Sequence, residues 1–190
     1  AGRIAGSTVD LPTTIRNAKK SCTCWNVSHC VAVGSRGYVA LTTDAGATWT
    51  RLADLPVGSY ALGHVTMPDA NTVYAATAYG EAFWRSADGG RSWALVSTPN
   101  LDLVPSLPTF PAPSVTALDA QTLVAWESGD QPHLSSDGAA SWRRLDRGIW
   151  HVGADGTLFS SSDESLSTDL GLTWQPVSIG GLNNSVLARS

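Results

Sequence analysis

Three cysteines and a histidine lie close together in the stretch SCTCWNVSHC, at Cys22, Cys24, His29 and Cys30. Zinc sites use four nitrogen or sulfur ligands, commonly with paired C-x-x-C cysteines, which this stretch lacks. A disulfide between Cys24 and Cys30 fits better, because it would tie two adjacent strands across a short turn. Cys22 is then a free thiol, an alternative partner of Cys30, or half of an intermolecular bridge. The stretch predicts a disulfide, no metal site, and an exported protein in an oxidising compartment.

Four aspartates recur in one fixed setting, which suggests a set of catalytic carboxylates. The setting is an eight-residue stretch, here called a box: TTDAGATW (42–49), SADGGRSW (86–93), SSDGAASW (135–142) and STDLGLTW (167–174). In such a stretch the carboxylate accepts hydrogen bonds from N–H groups just ahead, and glycine two residues later supplies a positive φ. We therefore interpret the boxes as structural turns. Their principal residues are Asp44, Trp49, Asp88, Trp93, Asp137, Trp142, Asp169 and Trp174.

The third box departs from the others, because Ala139 stands where the other boxes have glycine. Alanine disfavours positive φ. We expect the third turn to be distorted, with the neighbouring Gly138 taking the strain.

The elements that position these residues follow from the spacing of the boxes, whose aspartates are 44, 49 and 32 residues apart. A repeat of this length with short Val-, Thr- and Trp-rich strands between turns is typical of a β-propeller, and no stretch keeps a helical period. We predict a single all-β domain over 1–190, a small propeller of four box-bearing blades. The predicted blades span about 22–55, 60–98, 114–147 and 149–178, and the chain ends 1–21 and 179–190 close the ring or pair into a fifth blade.

The four boxes resemble the Asp-box (BNR) repeats of sialidases, sortilin, some glucan hydrolases and photosystem II assembly factors. The run CWNVSHCVAVGSRGYVALTTDAGATW is most similar to exported actinobacterial propellers that repeat a cysteine-bearing strand pair before each box. The resemblance covers about 22–178 and implies a propeller. It does not select one function, because the family includes hydrolases, receptors and assembly factors.

The face opposite the boxes should collect the loops that follow the second and fourth strands of each blade. These loops bring together aromatic, acidic and basic side chains that suit a glycan or a protein ligand, through ring stacking and charge-assisted hydrogen bonds. A long proline-rich segment at 98–114 is a candidate lid. The predicted ligand-binding residues are Arg36, Tyr60, Tyr79, Glu81, Glu127 and Asp130.

A glycoside hydrolase is the alternative. The sialidase resemblance implies an arginine triad, a Tyr–Glu pair and an acid, and Tyr79, Glu81 and Arg36 match part of this. A complete triad cannot be assigned, because the arginines that flank boxes are expected on the wrong face: Arg51, Arg85, Arg91, Arg143 and Arg144. Glu81 and Glu127 could also form an inverting carboxylate pair, which requires a separation of roughly 6.5–9.5 Å. We assign no catalytic residue. His64 and His151 fall on predicted inner strands and are interpreted as channel or core histidines.

Composition excludes several classes of partner. The net charge is −4 and the 12 Lys and Arg residues form no basic run, so a nucleic-acid ligand is not expected. No apolar run reaches the roughly 18 residues of a membrane-spanning helix, and any signal peptide is expected to have been removed. We predict an exported, non-catalytic binding or scaffold propeller without a cofactor. Open propeller edges or Cys22 could support a homo-oligomer, and a purely structural assembly module is a further alternative.

Overall fold

The computed structural model describes residues 19–58, 60–78, 80, 82–99, 114–126, 131–160 and 163–177. These residues form sixteen strands and contain no helix. The strands make four sheets of four antiparallel strands, and within each sheet the strands pair in the order in which they follow one another in the chain. The prediction of a small all-β propeller with four blades is therefore confirmed. The chain ends 1–21 and 179–190 are predicted to close the ring. Of these residues the structure describes only 19–21, which form the beginning of the first strand of blade 1.

The four blades use consecutive strands. Blade 1 contains β1 (Lys19–Cys24), β2 (Cys30–Gly34), β3 (Val39–Thr42) and β4 (Thr50–Arg51). Blade 2 contains β5 (Leu62–Thr66), β6 (Val73–Thr77), β7 (Phe83–Ser86) and β8 (Ala94–Val96). Blade 3 contains β9 (Ser114–Ala117), β10 (Leu123–Trp126), β11 (His133–Ser135) and β12 (Arg143–Arg144). Blade 4 contains β13 (Ile149–Val152), β14 (Leu158–Ser160), β15 (Ser165–Ser167) and β16 (Gln175–Pro176).

The core lies between the blades. Strand β6 shows why: all five of its residues are buried, since Val73 faces blade 1 while its neighbour Tyr74 faces blade 3. Side chains alternate between the two faces of a strand. A strand that is covered on both faces therefore carries a nearly continuous apolar run, without alternating polar residues. One apolar cluster fills each of the interfaces between blades 1 and 2, blades 2 and 3, and blades 3 and 4.

Hydrogen bonds also join neighbouring blades at the boxes. The Ser97 N–H, just after β8, donates to the carbonyl of Ala139 in the third box at 3.1 Å, and Trp142 Nε1 donates back to the Ser97 carbonyl at 2.9 Å. One interface further on, Arg143 Nη2 donates to the carbonyl of Leu170 in the fourth box at 3.1 Å. Besides shaping its own turn, a box thus provides acceptors to the blade before it.

Each box is held by one carboxylate with several donors. Asp88 accepts hydrogen bonds from the hydroxyls of Ser86 (2.8 Å) and Ser92 (2.5 Å) and from the backbone N–H groups of Arg91 (2.9 Å) and Ser92 (2.8 Å). The Ser86 hydroxyl in turn accepts the N–H of Gly90 at 2.8 Å. Asp44, Asp137 and Asp169 repeat the hydroxyl contacts on both sides and the N–H contact four residues ahead.

The third box is not distorted, so the expectation based on Ala139 is wrong. Ala139 adopts φ 68° and donates its N–H to Ser135 Oγ at 2.9 Å, as the glycines of the other boxes do to their hydroxyls. The preceding position is also left-handed in every box, including Leu170 with φ 58°. The hydrogen bonds at each box thus impose a left-handed conformation that costs a non-glycine residue about 1–2 kcal/mol.

A second repeated turn, which the sequence analysis did not identify, connects the first two strands of each blade. In blade 2 the Asp69 carboxylate accepts the N–H groups of Asn71 and Thr72, both at 2.8 Å. The equivalent acceptors are Asn26, Asp119 and Asp155. These turns lie beside the boxes, since Gly89 N–H donates to the Asn71 carbonyl at 2.7 Å. We call this end of the propeller the box end.

The cysteines join β1 to β2. Cys24 lies directly opposite Cys30 and forms a disulfide with it, as the spacing predicts, and Cys22 is an exposed free thiol. Within the described ranges, no group of three or more His, Cys, Asp and Glu side chains is arranged to hold a metal ion.

The box aspartates make the free energy of unfolding depend on pH in the acid range. Hydrogen bonds from Ser and Thr hydroxyls, and then from backbone N–H groups, lower the pKa of all four box aspartates to about 2. A pKa lower in the folded than in the unfolded chain stabilises the fold at every pH above the unfolded value, near 3.9. That contribution is lost as the pH falls from about 4 to about 2.

We predict that Asp88→Ala lowers the free energy of unfolding at neutral pH by about 1–2 kcal/mol, because several turn donors lose their acceptor. Urea unfolding measured at a series of pH values checks this. The difference between wild type and Asp88→Ala should shrink as the pH falls from about 4 to about 2, since the wild-type carboxylate is then protonated. A difference that stays constant down to about pH 2 would contradict the hydrogen-bonded carboxylate as its cause.

Candidate functional site

The opposite end of the propeller, which we call the loop end, carries the turns between second and third strands and the connections between blades. Two of the six predicted ligand-binding residues are described there, Arg36 and Tyr60. The structure brings them together: the Arg36 N–H donates to the Tyr60 carbonyl at 3.1 Å, and Ser35 pairs with Ala61. Both side chains are exposed, Tyr60 by 46%. The other four, Tyr79, Glu81, Glu127 and Asp130, lie outside the described residues.

Arg36 sits in a tight turn between β2 and β3. Arg36 has φ 55° and Gly37 has φ 77°, and the Tyr38 N–H donates to the Ser35 carbonyl at 3.2 Å. Positive φ at both central residues marks a type I′ hairpin turn, which normally has Asn or Gly at the first of them. Arginine at that position is held in a conformation that it rarely adopts by itself.

The connection 52–61 fixes this turn from outside. The Leu55 N–H donates to the Gly37 carbonyl at 2.8 Å, while the Leu55 and Val57 side chains are buried in the cluster between blades 1 and 2. The Tyr60 N–H then donates to the Val57 carbonyl at 3.2 Å. The backbones that carry Arg36 and Tyr60 are thus anchored to the core and to each other.

Below the turn, Tyr38 is nearly buried, and the guanidinium of Arg51 lies 5.1 Å from its ring centroid. Burial raises the pKa of the Tyr38 phenol. Arg51 Nη2 also donates to Asp54 at 2.7 Å, and this hydrogen bond raises the pKa of Arg51. The position of Arg51 beside the first box predicts that it lies on the box face. This prediction is wrong for its side chain, which reaches the connection 52–61.

Arg36 differs from the other described arginines in having no partner for its guanidinium among the described residues. Arg144 has a partner. The remaining arginines contact a carboxylate, a carbonyl or a ring: Asp54 for Arg51, the Tyr74 ring for Arg85, the Asp88 carbonyl for Arg91, the Leu170 carbonyl for Arg143, and Asp163 with the Trp174 ring for Arg147. A free guanidinium with five N–H donors is suited to a carboxylate from another molecule.

The two histidines predicted on inner strands are indeed on β5 and β13. His64 is partly buried, and burial lowers the pKa of its imidazole. His151 is exposed, and its ring centroid lies 5.9 Å from that of Phe159.

Solved structures of other propellers share this fold, whereas no family model and no curated protein matches the chain. A structure of YCF48 bound to a D1 peptide is 22% identical, with a TM-score of 0.57 over 87% of this chain and 54% of that one. YCF48 from Cyanidioschyzon merolae is 21% identical, with a TM-score of 0.56 over 84% and 55%. The GH74 xyloglucanase from Xanthomonas campestris is 15% identical, with a TM-score of 0.53 over 86% and 30%. This chain thus spans about half the length of the YCF48 structures.

The close approach at Gly37 gives a direct test of how rigidly the loop end is held. A Cβ at Gly37 would lie 2.0 Å from the Leu55 carbonyl oxygen, whereas a Cβ at Gly58, also at positive φ, meets nothing within 4 Å. We predict that Gly37→Ala destabilises the protein by more than about 2 kcal/mol, because backbone must move. Gly58→Ala should cost only the left-handed strain of about 1–2 kcal/mol. Equal effects of the two substitutions in urea unfolding would contradict the packed arrangement of 52–57.

Proposed function

We propose that this propeller is a non-catalytic binding or scaffold module that holds a protein segment at the loop end of blade 1. The observation that carries the proposal is the Arg36 guanidinium, which has no partner among the described residues and stands beside the exposed ring of Tyr60. A ligand carboxylate would make charge-assisted hydrogen bonds to Arg36, and an apolar group would pack on Tyr60.

The backbone around these residues supports a binding role. Arg36 keeps a left-handed conformation that a glycine or asparagine would adopt at lower cost, and strain retained in a well-anchored turn is a recognised feature of functional sites. Because the turn and Tyr60 are already fixed, little backbone freedom remains to be lost on binding. YCF48, a protein of the same fold, has been solved with a bound peptide, which favours a protein segment over other ligands.

A glycan ligand and a glycoside hydrolase are the competing proposals. Tyr60 could stack on a sugar, and the GH74 enzymes share this fold. The carboxylates required for hydrolysis, Glu81 and Glu127, belong to segments outside the described residues. The proposed binding function rests on Arg36 and Tyr60, and turnover of a chromogenic glycoside would test the hydrolase.

We further propose an extracytoplasmic location. The Cys24–Cys30 disulfide supports it, because disulfides persist in oxidising compartments. Separately, the described part of the chain contains no helix long and apolar enough to cross a membrane.

The experiment is a binding screen on arrays of acidic peptides, their neutral amide counterparts and glycans, with chromogenic glycosides tested for turnover. We predict that a bound acidic peptide loses at least about tenfold in affinity with Arg36→Ala, because a hydrogen bond between charged groups contributes about 1.5–3 kcal/mol. Tyr60→Ala should also lower the affinity for the same peptide.

Arg91→Ala is the matched control, since Arg91 is an exposed arginine at the box end. It should leave affinity unchanged. Peptide binding that is unchanged by both Arg36→Ala and Tyr60→Ala would mean that the binding site lies elsewhere. Glycan binding without turnover would mean that the ligand is a glycan and not a protein segment. Glycoside turnover that disappears with Glu81→Gln or Glu127→Gln would establish the hydrolase instead.

A further inference from the structure

Three cysteines share one face of the β1–β2 hairpin. Cys24 and Cys30 are directly opposite, with Cα atoms 4.0 Å apart, and form the disulfide. Cys22 lies two residues earlier on β1, opposite Ala32, and therefore points to the same face. Cys22 is exposed, whereas Cys30 is buried. An accessible thiol thus lies next to a disulfide, on the same face of two directly paired strands.

The register of β1 decides whether Cys22 can reach that disulfide. In the observed register Cys22 is diagonal to Cys30, and diagonal residues on paired strands are roughly 7–8 Å apart. A disulfide does not span that distance without backbone movement. A slip of β1 by two residues would bring Cys22 directly opposite Cys30. Because side chains alternate with a period of two, this slip keeps every residue of β1 on its own face.

Strand β1 is suited to such a slip. It is the edge strand of its sheet, so it is hydrogen-bonded in the sheet to β2 alone. Its pairing with β2 already shifts register between Lys19 and Ser21. The slip would add residues 23 and 24 to the turn that now comprises 25–29, at the box end.

We propose that β1 has two registers, each held by its own disulfide and interconverted by thiol–disulfide exchange while the end of β1 is transiently opened from β2. The Cys22 thiolate attacks Cys30 Sγ, a Cys22–Cys30 bond forms, the Cys24–Cys30 bond breaks, and Cys24 leaves as a thiolate. Cys22 gives its proton to solvent and Cys24 takes one up. One disulfide and one thiol are present before and after, so no oxidant or reductant is needed.

The observed register is held by the turn. The Trp25 side chain packs against the cluster between blades 1 and 2, and the backbone N–H of Trp25 donates to the His29 carbonyl at 3.0 Å. Asn26 Oδ1 accepts the N–H groups of Ser28 and His29, both at 2.8 Å. The slip would release these contacts, so the Cys24–Cys30 form predominates, and a partner that displaces Trp25 would favour the other form. Because β1 packs against β5, the exchange would move β1 along blade 2 by about 7 Å.

Thiol mapping of the native wild-type protein tests the exchange. Protein kept free of reductant is incubated at about pH 6 or about pH 8.5, then blocked with N-ethylmaleimide, reduced and treated with iodoacetamide, since the thiolate is the attacking species. Tandem mass spectrometry of the tryptic peptide Ser21–Arg36, which contains all three cysteines, shows which one carried the maleimide. We expect most of the maleimide on Cys22 and a smaller fraction on Cys24 that grows during the incubation, faster at the higher pH, with Cys30 unlabelled. Maleimide confined to Cys22 at both pH values, or found on Cys30, would overturn the proposal.

A pair of variants provides a second measurement. After treatment with oxidised glutathione, Cys24→Ser should form the Cys22–Cys30 disulfide while remaining folded by circular dichroism. Cys22→Ser is the matched control and should keep Cys24–Cys30. A folded Cys24→Ser protein in which Cys22 and Cys30 stay unjoined would show that the second register does not form.

Discussion

The structure depends on one constraint: neighbouring four-stranded sheets face each other with apolar surfaces, and water must be excluded from between them. Strands such as β6, buried along their whole length, are stable only between two other sheets. The three clusters between blades meet this requirement. They also explain why the short outer strands β4, β12 and β16 suffice, since packing between blades rather than length of pairing holds each sheet in place.

The two ends of the propeller consequently have different roles. At the box end, carboxylates and hydroxyls are occupied by the turns themselves, and box carbonyls accept hydrogen bonds from the preceding blade. At the loop end of blade 1, the backbone is equally well fixed, but the exposed side chains of Arg36 and Tyr60 are not needed to fix it. A ligand at Arg36 and Tyr60 would therefore leave the contacts that keep the blades together undisturbed.

Much of this could be predicted from the sequence because its causes are local. Each box is a set of contacts within a few residues, and the Cys24–Cys30 bridge spans one turn. The turns at Asn26, Asp69 and Asp119 are not predicted, because one acceptor and two backbone donors leave almost no pattern in the sequence. The contact of Gly37 with Leu55 and the reach of Arg51 to Asp54 depend on how the connection 52–61 folds back, which spacing does not specify. The candidate site could be predicted as a set of loops that includes Arg36 and Tyr60, but the hydrogen bond between their backbones could not.

Ala139 has a consequence for how such repeats are recognised. The third box keeps the donor N–H and the left-handed backbone of the other three boxes without the glycine that provides them there. A sequence pattern that demands glycine at that position would count three repeats in this chain instead of four. Blade number in distant members of such families would then be underestimated, and a pattern written around the aspartate and its two flanking hydroxyl residues would be the safer way to count.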